Sequence, residues 1–74
     1  MNDRWAYIAR TTKPTKHWPE TGTTVAATVD EPSMQKSNAV EIAKWMRNGL
    51  TIERVPVEWV RKHLFTTEPY RPVS

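Results

Sequence analysis

The chain changes its hydrophobic period twice in its second half, and those changes mark its elements. Ala39, Ile42, Ala43 and Met46 recur at spacings of three and four, which predicts a helix over residues 34–48 with that stripe turned to a core. Trp45 falls at the edge of the stripe, and Glu41, Lys44 and Asn48 fall opposite it. Glu41 and Lys44 are placed to pair across one turn. Gly49 suits the position just past the helix end, because glycine enters the left-handed region without a Cβ clash. Alternation then takes over and predicts a strand over 50–55, with Leu50 and Ile52 inward and Thr51 and Glu53 outward. Strict alternation would turn Arg54 inward, where an unpaired charge is costly, so the strand is expected to end or bulge there. Pro56 fits the first turn of a second helix. Its apolar stripe is Val57, Val60 and Leu64, and Arg61, Lys62 and His63 complement its negative end.

The first half is punctuated by proline and glycine. Residues 4–10 read as a strand in which Trp5, Tyr7 and Ala9 alternate with Ala6, Ile8 and Arg10, neither face being clearly polar. Residues 11–22 form a loop: Pro14 and Pro19 remove ladder donors, and Gly22 can supply a left-handed turn. A second strand spans 23–30, with Val25, Ala27 and Val29 on one face and Thr24, Ala26 and Thr28 on the other. Pro32 stops it, Ser33 is an acceptable N-cap, and Asp30 and Glu31 are expected near the positive end of the helix that follows. Residues 66–74 have no apolar period and are expected to be a disordered tail beyond a single domain of residues 1–65.

These elements predict an α+β fold. It is a three-stranded antiparallel sheet in the order 2-1-3, within a β-β-α-β-α chain, with the main helix packed on one face. The other face is expected to be at best partly covered by the second helix. An uncovered face, or the free edge of the second strand, would be a ready binding surface.

Size and composition narrow the function. A chain of 74 residues with no Cys has no disulfide framework and no thiolate zinc site to supplement a small core. Nothing resembles a signal peptide or a membrane span, so a soluble cytoplasmic protein without a membrane partner is expected; a monomer is also expected. His17 and His63 lack Cys or His partners at ligand spacing, so no metal site is expected. Ser33 and Ser37 lack a nucleophile-elbow context, and two glycines cannot build a phosphate-cradling loop. No catalytic residue and no cofactor is expected, and the protein is expected not to be an enzyme.

The net charge of +3 comes from 11 basic and 8 acidic residues mixed along the chain, so a single basic face is not obvious. Four tryptophans exceed what so small a core can enclose, and at least one is expected at a partner surface. The candidate partner-binding residues are Arg10, Lys13, Lys16 and Trp18 in and beside the loop, then Arg54 and Trp59. The loop is either a basic, aromatic-tipped arm for a protein groove or a nucleic acid, or a lid in which Trp18 folds back on the sheet. Arg54 with Arg61 and Lys62 is either one basic corner or a helix end complemented by cations. Trp59 lies off its helix stripe, either filling the second sheet face or exposed.

The segments Thr24-Val-Ala-Ala-Thr-Val29, Ala39-Val-Glu-Ile-Ala-Lys-Trp45 and Leu50-Thr-Ile-Glu-Arg-Val55 carry a resemblance. An Ala-x-Trp helix end followed shortly by a strand running from Thr51 to Arg54-Val55 is similar to the small phage-encoded inhibitors of host RNA polymerase. About half of the chain takes part. The chain departs from that pattern in being basic and in carrying a further helix over residues 58–65. The resemblance implies a non-enzymatic regulator that binds host RNA polymerase and alters transcription in the host cytoplasm. A small nucleic-acid-binding module, or a phage accessory protein aimed at another host target, is the alternative.

Overall fold

In the computed structural model, which describes residues 4–72, the elements follow in the order β1 (Trp5–Arg10), β2 (Thr24–Val29), a 3-10 turn (Pro32–Met34), α1 (Gln35–Arg47), β3 (Thr51–Pro56) and α2 (Val57–His63). The strands form one antiparallel sheet in the order β2-β1-β3. This is the expected α+β fold.

Register assigns the two faces. Ala6 lies opposite Val29 and Val55, and Ile8 opposite Ala27 and Glu53, on one face. Tyr7 lies opposite Thr28 and Arg54, and Ala9 opposite Ala26 and Ile52, on the other. α1 covers the Tyr7 face, where buried Asn38 accepts the Thr28 hydroxyl at 2.7 Å and its Nδ2 donates to the Val29 carbonyl at 2.7 Å. α2 covers the opposite face and touches all three strands. The sheet is thus sandwiched, and Ile8 and Val55 on the α2 side are fully buried. Each such side chain contributes about 1.5–3 kcal/mol through burial.

The turn of α1 about its axis differs from the apolar stripe of the sequence. Asn38 and Trp45 are buried and Ile42 is half-buried, whereas Ala39 and Ala43 are exposed and Met46 is 63% exposed. Two polar groups of β2, the Thr28 hydroxyl and the Val29 carbonyl, give Asn38 both of its bonds, and Trp45 supplies the volume. The helix start is also different. Ser33 lies inside the 3-10 turn and Met34 precedes α1 without a side-chain cap. Asp30 and Glu31 instead pair with Arg54 and Arg4.

The helix end is as expected. Gly49 has φ +80°, its N–H donates to the Met46 carbonyl, and the Leu50 N–H donates to that of Trp45. This is the glycine-terminated pattern that satisfies the last carbonyls of a helix. Glu41 and Lys44 pair at 3.8 Å, also as expected.

No irregularity occurs at Arg54. The bulge lies between Ala9 and Arg10, so that Thr24 rather than Val25 stands opposite Arg10. Thr24 is fully buried, and its Oγ1 has no hydrogen-bond partner. Outside β2, the Thr24 N–H donates to the Thr66 carbonyl at 3.0 Å, and the Phe65 N–H donates to the Thr24 carbonyl at 2.7 Å. The segment after α2 therefore closes that end of the β2 edge, and Asn38 occupies the Val29 carbonyl at the other.

Candidate functional site

The loop over residues 11–22 is tightly held. Its base is laced by Thr11, whose N–H donates to the Thr23 carbonyl and whose carbonyl accepts the Gly22 N–H. The Thr11 hydroxyl donates to the Glu20 carbonyl at 2.9 Å and accepts the Thr23 N–H at 3.0 Å. The Thr12 hydroxyl ties the loop to the end of α1 through the Gly49 carbonyl at 2.7 Å. At the tip, Thr15 and Trp18 close a turn: the Thr15 N–H donates to the Trp18 carbonyl at 2.8 Å, and the Trp18 N–H donates to the Thr15 hydroxyl at 3.0 Å.

Arg10 is part of this lacing. Its guanidinium donates from Nε and Nη2 to the Gly22 carbonyl at 3.1 and 2.9 Å, and from Nη1 to Glu53 at 3.4 Å. Its side chain is only 16% exposed. Arg10 fixes the loop to the sheet instead of offering itself at the surface. Lys13, Lys16 and His17 are exposed.

Trp18 is half-buried and stacks on Phe65, with ring centroids 5.6 Å apart and planes at 5°. The indole has folded back and stacks on the segment after α2. It separates two clefts. One, of about 440 Å³, is lined by His17, Trp18, Glu20, Thr23, Phe65 and Thr66. The other, of about 410 Å³, is lined by Lys13, Thr15, Trp18, Val25, Asn48 and Leu50 among others.

The remaining candidates lie elsewhere. Arg54 stands on the α1 face near the end of β2 remote from the loop, its Nε 3.0 Å from Asp30 Oδ2. Arg61 and Lys62 stand on α2, across the sheet, so the three cations do not form one corner. Trp59 is half-buried, with His63 at 4.8 Å and the Tyr70 ring edge-on at 5.9 Å. Thus Lys13 and Trp18 line one cleft, Lys16 lies in the turn between Thr15 and Trp18, Arg10 is held at the base of the loop, and Arg54 and Trp59 belong to separate surroundings.

A second surface was not visible in the chain. The outward face of α1 carries Val40 and Met46, 62% and 63% exposed, with Ala39 and Ala43 also exposed. Lys36 and Arg47 stand on that face without a carboxylate in ion-pair range among the described residues. Phe65, 58% exposed, was likewise missed. A second apolar set, Val40 with Ala43 and Met46, was the available signal for the helix.

Among the described residues no three His, Asp or Glu side chains gather as a metal site, and no helix is long and apolar enough to cross a membrane. No family model, curated protein or solved structure matches this chain.

Proposed function

We propose that this protein is a non-enzymatic regulator that binds host RNA polymerase and alters transcription by occupying a protein surface. The observation that carries the binding role is the outward face of α1. Two large apolar side chains, Val40 and Met46, stand in water on a helix whose other side already packs on the sheet. Exposed apolar groups gathered on one element mark interaction surfaces. Lys36 and Arg47 on the same face suit a partner patch with an apolar centre and acidic surroundings. Polymerase as the partner rests on the resemblance of the three segments from Thr24 to Val55.

The test uses purified bacterial RNA polymerase and the double variant Val40→Asp with Met46→Glu. The native protein is expected to be retained by polymerase and to reduce run-off transcription. The variant keeps its fold, since both positions are exposed, and binds at least about tenfold more weakly. Absence of any polymerase retention removes this partner. Equal retention of native protein and variant removes α1 as the contact face.

A further inference from the structure

We infer that the loop end of the sheet is a contact for single-stranded nucleic acid, with Trp18 and Phe65 as the stacking surface and Lys13 and Lys16 on the phosphates. The inference is independent of the polymerase partner, because it concerns different residues and a different kind of ligand.

Charge pairing is the first support. Arg4, Arg10, Lys44 and Arg54 each have a carboxylate within ion-pair distance. Lys13 and Lys16 have none among the described residues, although their loop is held by the bonds of Thr11, Thr12 and Thr15. Unpaired cations occur on both helices as well. What marks the loop is that Lys13 lines the same cleft as the Trp18 indole, beside Leu50 and Val25. A flat aromatic face with unpaired cations on the same loop is what unpaired bases and their phosphates require. Glu20 borders the other cleft, which Phe65 also lines, so the nucleic-acid strand crosses the stacked rings with its phosphates on the Lys13 side and a base against Phe65.

Backbone strain is the second support. Phe65 has φ +66°, a left-handed conformation that a bulky residue seldom adopts. It nevertheless holds a large ring parallel to Trp18 with more than half of its surface exposed. Glycine would satisfy the same backbone without strain, and a ring of that exposure adds little burial. Strain of this kind is concentrated where a side chain must be presented.

The experiment titrates the full chain with a labelled oligothymidylate, its duplex counterpart and polyglutamate as a competitor without bases. The single strand is expected to bind best, with log affinity falling against log salt at a slope of about −1.4 for two phosphate contacts. Lys13→Ala with Lys16→Ala flattens that slope. Phe65→Gly keeps or raises the melting temperature, leaves the slope unchanged and weakens binding about tenfold or more. Phe65→Leu, which keeps bulk and the strained backbone but not the ring, weakens binding by a similar factor and leaves the slope unchanged. Absence of binding at low salt overturns the inference, as does displacement by polyglutamate as effective as by unlabelled oligonucleotide. Unchanged affinity in both Phe65 variants overturns it too.

Discussion

The guanidinium of Arg54 lies over the indole of Trp5, 4.6 Å from the ring centroid, while its Nε meets Asp30 at 3.0 Å. One exposed cation thereby joins β3 to β1 and to the end of β2. Arg54→Ala removes both contacts and is expected to cost about 0.5–1.5 kcal/mol, as a sum of an exposed cation–π contact and a surface ion pair. Arg54→Lys keeps the charge and loses the flat stacking and fork geometry, so it recovers only part. Thermal melts of both variants, and of the same changes in a Trp5→Leu background, measure the coupling. No coupling between positions 5 and 54 would show that the stack contributes nothing.

Ile8 is fully buried on the central strand, beneath α2. Ile8→Ala is expected to destabilise by about 2–5 kcal/mol, a large part of the stability of a domain this size. Ile8→Val is expected to cost only about 0.5–1.5 kcal/mol. Urea titrations followed by tryptophan fluorescence give the two values.

Asn38 makes two buried hydrogen bonds to β2. Asn38→Leu puts an apolar residue where the turn of the helix demands one, yet strands the Thr28 hydroxyl and leaves the Val29 carbonyl with only the Glu31 N–H at 3.2 Å. A loss of about 1–3 kcal/mol is expected. If the variant instead melts at a higher temperature, the polar contact is not what orients α1.

Thr24 buries a hydroxyl without a partner. Thr24→Val keeps the shape and removes the orphan oxygen, so the variant is expected to gain about 1 kcal/mol. A lower melting temperature would mean that an unseen group, such as an ordered water, serves that oxygen.

The elements were legible because their borders are set locally. Gly49 and Gly22 sit at φ +80° and +79°, where glycine is favoured, and Pro56 closes β3 before α2. The exposures along α1 were not legible, because apolarity alone ranked Ala39, Ala43 and Met46 above Asn38. The hydroxyl and carbonyl that draw Asn38 inward belong to β2 and are fixed by tertiary register. The bulge at Arg10 was hidden for a similar reason, since alternation along β2 carries no mark of it. At the loop, Lys13, Lys16 and Trp18 stood out by residue type. Arg10 looked equally available, and its commitment to Gly22 and Glu53 follows only from the folded sheet. Phe65 is far from Trp18 in the chain, so no local pattern could join them.

The place of β1 at the centre of the sheet has a consequence for synthesis. β1 is made before either of its neighbours, and one of them, β3, begins only at Thr51. α1 precedes that strand and can reach the Tyr7 face earlier, but the Ile8 face stays open until β3 and α2 have emerged. Ile8 and its neighbours therefore stay open until those elements are in place, and folding depends on contacts distant in the chain.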